Sequence, residues 1–141
     1  MTLTLDDART IIAAARAAGR ERSMQPLSIA VLDSGGHLLA FEREDGASNM
    51  RFQVAHGKAH GALALGVGSR ALMARAEQQP YFVNAVTAAI GGALIPVPGG
   101  VLVREAGVTI GAVGVTGDSS DNDELAAVAG IEAAGFTPVT G

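Results

Sequence analysis

The residues best suited to chemistry are two histidines that stand close together in the sequence. His56 and His60 are four positions apart, so a helix would place both imidazoles on one face, one turn from each other. Two imidazoles at that spacing can share one metal ion, which makes His56 and His60 candidate metal ligands. The alternative is a pair of helical histidines without a ligand, because the sequence identifies no third ligand.

Lys58 lies between these histidines and is the only lysine in the chain. In an apolar helix its amine can be desolvated, which lowers its pKa and lets it act as a base or form an imine. Lys58 and His60 are therefore the candidate catalytic residues, with proton transfer as their chemistry. Two structural alternatives stay open: a side chain whose amine reaches solvent at the surface, and a buried ion pair with a carboxylate.

Anion binding is the second kind of chemistry that the sequence offers. Arg43 or Arg51 can hold a carboxylate through two parallel hydrogen bonds, because a guanidinium presents its N–H groups as a fork. Tyr81 belongs to an aromatic and amide cluster that either lines a pocket or packs in the core. Asp118 opens an acidic run, residues 118–124, that lacks the spacing of a calcium loop, so it either faces a ligand or caps a helix.

The composition excludes several classes of protein. The chain has 141 residues, 48% of them hydrophobic and 17% charged, which rules out intrinsic disorder and fits one domain over residues 1–141. It has no cysteine, and therefore no disulfide, thiolate metal site or cysteine nucleophile. A net charge of −4 argues against a nucleic-acid partner. We predict neither a signal peptide nor a membrane span, and hence a cytoplasmic protein.

The elements that position these residues can be predicted from periodicity and turn signals. The first is a helix that begins after Thr4 and ends near residues 22–24, and it is followed by strands 28–32 and 37–41. Helices 50–66, 69–76 and 80–89 come next, and then strands 101–104 and 108–115. The last element is a helix capped by Ser120 with Asp123 or by Asp121 with Glu124. Strands joined by hairpins, with helices alongside, indicate an α+β fold with an antiparallel sheet.

Three stretches, taken together, carry a family resemblance. They are residues 28–47 (SIAVLDSGGHLLAFEREDGA), 57–59 (GKA) and 110–124 (IGAVGVTGDSSDNDE). With these stretches in this order, the chain resembles the GlcG/HbpS family, which includes the C-terminal domain of PduO-type proteins. The resemblance implies a profilin-like fold, a central antiparallel sheet of about five strands flanked by helices on both faces. It also implies a symmetric homo-oligomer.

The resemblance further implies a small-molecule ligand, since some members bind haem or a related tetrapyrrole and some are described as haem-degrading. In PduO-type domains a histidine of the first helix is a haem ligand, and this chain has none there. His56 or His60 would then approach the iron, and arginines would pair with the propionates.

Three functions follow as hypotheses. The first is a small-molecule-binding protein with haem or a similar planar anion as its ligand. The second is a cofactor-independent enzyme of the isomerase or hydrolase type that acts on a small carboxylated metabolite of aromatic or hydroxy-acid catabolism. The third is an accessory oligomer without a ligand, for which the Ala- and Gly-rich helical segment 50–68 would supply tight interfaces.

Overall fold

Ten helices and strands follow one another along the chain, and the computed structural model describes all residues from 1 to 141. In chain order they are α1 (Leu5–Glu21), β1 (Ser28–Asp33), β2 (Leu38–Arg43), α2 (Arg51–Leu65), α3 (Ser69–Gln78), α4 (Pro80–Ala89), β3 (Gly100–Glu105), β4 (Val108–Thr116), α5 (Ser120–Ala133) and β5 (Thr137–Val139). The predicted elements are confirmed, with bounds that differ by no more than a few residues. The sequence did not predict β5, because it has only three residues and one of them is a proline.

The strands form one five-stranded sheet in the order β2-β1-β4-β3-β5, and every neighbouring pair is antiparallel. Helices cover both faces, so the predicted α+β fold is confirmed. On one face, α1 and α5 pack over a large apolar core that includes Ile11, Val31 and Val113. On the other face, α2 packs over a smaller core that includes Ala59 and Leu102. None of the helices combines the length and the apolar character needed to cross a membrane.

The first helix follows directly from its sequence. The Thr4 side chain accepts a hydrogen bond from the Asp7 amide, and the Asp7 carboxylate accepts one from the Thr4 amide, which forms the predicted capping box. Its buried face consists of the positions that helical spacing predicts: Ala8, Ile11, Ile12, Ala15 and Gly19.

The second helix lies unusually close to the sheet, because glycines form the surface beneath it. A Cβ atom at Gly100 would overlap the carbonyl of Lys58, and one at Gly114 would overlap the carbonyl of Ala55. Only glycine leaves room for the helix backbone at these two strand positions. The close approach brings the middle of α2, and Lys58 with it, against the ends of β3 and β4.

Both caps predicted for the last helix, Ser120 and Asp121, are wrong, by one and by two residues. The N-cap of α5 is Ser119, whose hydroxyl accepts a hydrogen bond from the Asn122 amide at 3.2 Å. Asp123, which we expected to complete a capping box with Ser120, points into the protein instead and is 1% exposed. A capping motif cannot be told from sequence when a neighbouring carboxylate has a partner elsewhere in the fold.

Candidate functional site

Four flat side chains form a continuous line that begins on β2 and follows one side of α2. Phe41 of β2 meets Phe52 edge to face, with ring centroids 4.9 Å apart. Phe52 stacks on His56 at 5.5 Å, and His56 stacks on His60 at 5.4 Å. The predicted placement of both histidines on one helical face is confirmed, because residues 52, 56 and 60 recur once per turn. We call these four residues the ring stripe.

The two imidazoles of the ring stripe differ in their surroundings. His60 Nδ1 lies 3.0 Å from the carbonyl of Ala93, which only accepts, so Nδ1 donates and the neutral ring keeps its lone pair on Nε2. His56 has no hydrogen-bond partner in the protein. Burial lowers the pKa of His56, and the neighbouring His60 lowers it further. Both effects favour the neutral form of the His56 imidazole, which is the form that binds a metal.

The histidines face two different cavities. His56 and Phe52 line a groove of about 410 Å³ between α2 and the segment 91–95. Half of the residues that line this groove are hydrophobic. His60 lines a smaller cavity of about 210 Å³ beside the β1–β2 turn. We call the first of these the α2 groove. Its size falls in the range of about 300–1,000 Å³ that is typical of small-molecule sites.

The predicted metal site shared by His56 and His60 is not assembled by this geometry. Stacked rings present their faces to each other, whereas the nitrogen lone pairs that bind a metal lie in the ring planes. No third histidine, cysteine, aspartate or glutamate joins the pair in a group that could hold a metal ion. A metal held by both rings would require at least one of them to turn out of the stack.

Lys58 lies on the opposite side of α2 and forms a buried ion pair. Its Nζ donates to Asp123 Oδ2 at 3.1 Å and to the Val115 carbonyl at 2.9 Å, and both charged side chains are only 2% exposed. Burial lowers the pKa of Lys58 and raises that of Asp123, while the attraction between the two opposes both shifts. Of the two structural alternatives, the surface lysine is wrong and the buried ion pair is confirmed.

Comparison of the sequence with models of known protein families identifies the family of this chain. The family model described as haem degrading protein HbpS-like matches residues 3–132. The chain belongs to the HbpS-like family. No curated protein is similar enough in sequence to be matched to it.

Solved structures similar to this HbpS-like protein cover nearly its whole length. The structure of PduOC in complex with haem is 22% identical, with a TM-score of 0.86 over 96% of this chain and 97% of that chain. The Klebsiella pneumoniae protein ORFY is 26% identical, with a TM-score of 0.87 over 96% and 92% of the two chains. A double mutant of Streptomyces reticuli HbpS is 29% identical, with a TM-score of 0.80 over 94% and 86%. These likenesses agree with the α+β fold described above.

The remaining predicted site residues of this HbpS-like protein do not gather at the α2 groove. Arg51 bonds to two hydroxyl groups beside a separate small cavity, and Arg43 is exposed at the end of β2. Tyr81 is 71% exposed on α4 and lines none of the cavities, so it neither forms a pocket nor packs in the core. Asp118 accepts hydrogen bonds from the Gln25 amide and the Asn122 side chain, which lower its pKa.

Two residues of the ring stripe, Phe41 and Phe52, were missed by sequence reasoning. The signal for Phe52 was available, because it precedes His56 by the same four residues that separate His56 from His60. Phe41 had no such signal, since its position depends on β2 lying beside α2 in the folded protein. The wall of the α2 groove at residues 91–95 lies between the predicted helix 80–89 and the predicted strand 101–104, where the sequence predicts no element.

Proposed function

We propose that this HbpS-like protein binds haem or a related tetrapyrrole in the α2 groove, with His56 as the residue that faces the iron. The observation that carries the proposal is the His56 imidazole, which lines the groove without a hydrogen-bond partner. The flat rings of Phe52 and His60 stack on its two sides and fix its orientation. An oriented imidazole beside an apolar groove is one of the arrangements in which proteins hold haem iron.

The residues of the groove fit a planar apolar ligand. Phe52, Val54 and Ile95 supply hydrophobic surface, and Gly91 and Gly92 leave open space because a Cβ at either position would meet nothing within 4 Å. A bound haem would supply a redox-active iron. The protein itself would supply the imidazole, the apolar wall and the exclusion of water from one side of the ring.

What is known of the relatives supports the same ligand class. The similar PduOC structure is a complex with haem, and the matching family is described as haem-degrading. The histidines of this chain are His37, His56 and His60, so none lies on α1. His37 sits in the β1–β2 turn, 81% exposed and beside Asp33, and His60 faces the smaller cavity. His56 is therefore the histidine whose placement fits the proposal.

A hemin titration followed by visible spectroscopy tests the proposal. We expect a saturable Soret shift with one hemin per chain, and a changed spectrum with weaker binding in His56→Ala. The matched control is His37→Ala, which removes an exposed histidine outside the groove and should bind as the wild type does. A titration without saturation, or an unchanged spectrum in His56→Ala, would contradict the role given to His56.

The other two hypotheses stay predictions. Proton transfer by Lys58 and His60 on a carboxylated metabolite gains no support from geometry, because Lys58 Nζ is bonded to Asp123 and Val115 and lines no cavity. The homo-oligomer implied by the resemblance, with or without a ligand, is checked by light scattering on the purified protein.

A further inference from the structure

Arg51 is the first residue of α2, and its guanidinium group is held by hydrogen bonds but forms no ion pair with a carboxylate. Its Nη1 donates to Thr116 Oγ1 at 2.8 Å, and its Nε donates to Ser48 Oγ at 2.9 Å. Both acceptors are neutral hydroxyl groups. The remaining N–H groups of the fork, including both on Nη2, have no partner in the protein, so the side chain is oriented while its charge is uncompensated.

Three other arginines that cross between elements are paired with carboxylates. Arg16 bonds to Glu42 and Glu44, Arg20 lies 3.3 Å from Glu44, and Arg70 bonds to Asp121 and Glu124. Arg51 is as well anchored as these three and forms no ion pair. Unlike the charges of these three, the charge of Arg51 is therefore not used in an ion pair that joins two elements of the fold.

Two acids that follow Thr116 in the chain, Asp118 and Asp123, already have other donors to satisfy. Both oxygens of the Asp118 carboxylate accept hydrogen bonds, from the Gln25 amide and from Asn122. Asp123 accepts from Lys58 and from the Asp118 amide. Either carboxylate would leave donors unsatisfied if it turned toward Arg51, and one of those donors, the Lys58 amine, is buried. No carboxylate of the chain forms an ion pair with Arg51, so its guanidinium is available to a group from outside the chain.

An open cavity and a row of hydroxyl groups lie beside this guanidinium. Arg51 and Ser48 line a cavity of about 190 Å³ whose walls include Gly46 and Gly117. Thr116, which holds Arg51, is the register partner of Ser28 in β1, so their side chains share one face of the sheet. Ser28 Oγ is buried without any hydrogen-bond partner. Hydrogen bonding is thus incomplete at this edge of the sheet.

We propose that Arg51, together with Ser48, is a binding subsite for a carboxylate group. A carboxylate matches the planar fork and takes two parallel hydrogen bonds from it, which makes such pairs both strong and directional. The N-terminal end of a helix carries a partial positive charge. The first turn of α2 contains no acidic residue that would neutralise this charge, so it adds to the positive potential at Arg51. The subsite is distinct from the α2 groove, and the proposal does not depend on haem binding there.

Two sources of the carboxylate are possible, and the experiment separates them. It is either a free small carboxylic acid or a propionate arm of a tetrapyrrole. Acetate and succinate, with acetamide and succinamide as neutral analogues, probe the first source by NMR of the Arg51 Nε–H and of residues 46–54. Hemin and hemin dimethyl ester, compared by visible spectroscopy, probe the second.

Arg51→Gln is the main variant, and Arg104→Gln is its matched control. Arg104 also bonds to a threonine hydroxyl, Thr109 Oγ1 at 3.2 Å, forms no ion pair, and lies at the opposite end of the sheet. We expect saturable binding of one carboxylate source to the wild type and to Arg104→Gln. Arg51→Gln should weaken that binding roughly tenfold or more, since a charge-assisted fork is lost. Thr116→Val, which removes only the acceptor that orients Nη1, should weaken it less.

The proposal is overturned if Arg51→Gln binds acetate, succinate and hemin as Arg104→Gln does, or if the amides bind as well as the acids. It is also overturned if two results occur together. In the first, neither acetate nor succinate shows saturable binding to the wild type; in the second, hemin dimethyl ester binds the wild type as tightly as hemin does. A failure of hemin alone to bind would sink the haem proposal, and acetate and succinate would still decide this one. Dispersed amide spectra establish that each variant is folded, and Thr116→Val gives an independent test should Arg51→Gln unfold.

Discussion

Lys58 Nζ lies 3.1 Å from Asp123 Oδ2 where both side chains are closed off from water, and this pair joins the two layers of the fold. Lys58 belongs to α2 on one face of the sheet, and Asp123 belongs to the first turn of α5, which packs on the other face. The Val115 carbonyl at the end of β4 accepts a second hydrogen bond from the same amine. The pair therefore fixes both helices to one strand end.

Breaking this ion pair on one side should destabilise the protein strongly. Lys58→Met leaves the Asp123 carboxylate buried without its cation, which typically costs about 3–5 kcal/mol. We expect the free energy of unfolding in urea at pH 7 to fall by at least about 3 kcal/mol. A fall below about 1 kcal/mol would mean that water reaches the carboxylate in the folded protein.

The double variant Lys58→Met with Asp123→Asn separates the loss of the pair from the loss of packing. It removes both charges and keeps a side-chain oxygen that can accept from the Asp118 amide, as Asp123 Oδ1 does at 2.9 Å. Because two charges no longer need to be desolvated, it should recover most of the stability lost in Lys58→Met. A double variant that is as unstable as the single one would contradict this account.

His56 should make the stability of the protein depend on pH just below neutrality. Burial and the neighbouring His60 lower its pKa in the folded state below 6.5. A lowered pKa means that the unfolded chain binds the proton more readily, so the contribution is present above pH 6.5 and is lost as the pH falls through the folded value. We expect the wild type to lose more stability between pH 7.5 and pH 5 than His56→Phe, which keeps a ring in the stripe. Parallel stability profiles for the two proteins would refute the prediction.

Features that depend on residues close together in the sequence could be predicted. Contacts between residues far apart in the sequence could not. The capping box at Thr4 and the buried face of α1 depend on neighbours three or four residues away, as does the stacking of His56 on His60. The partner of Lys58 lies 65 residues along the chain, and no spacing rule points to it. The sequence offered the ion pair as one alternative but could not name Asp123.

The close approach of α2 to the sheet predicts that Gly114 is the least replaceable of the strand glycines. A Cβ added there would overlap the carbonyl of Ala55, and a helix backbone cannot move aside cheaply. We expect Gly114→Ala to lower the free energy of unfolding by about 3 kcal/mol, the upper end of typical overpacking costs. Gly35→Ala is the control, because its Cβ would clash only with the exposed His37 ring, which can swing away, and would lie at an ordinary contact distance of 3.4 Å from Asp33 Oδ1. It should change stability by less than about 0.5 kcal/mol. Equal effects of the two substitutions would show that α2 can lift from the sheet without cost.

The unpartnered hydroxyl of Ser28 predicts an unusual gain in stability on truncation. Ser28 Oγ is buried without a hydrogen bond, so its desolvation is not compensated in the folded protein. We expect Ser28→Ala to raise the free energy of unfolding of the ligand-free protein by about 1 kcal/mol. Ser69→Ala is the matched control, since the Ser69 hydroxyl is equally buried but exchanges two hydrogen bonds with the Gly100 backbone. That variant should lose about 1–3 kcal/mol, because it leaves buried backbone groups unsatisfied. If Ser28→Ala were destabilised as much as Ser69→Ala, the Ser28 hydroxyl would have a hydrogen-bond partner in the folded chain, and the incomplete bonding beside Arg51 would be disproved.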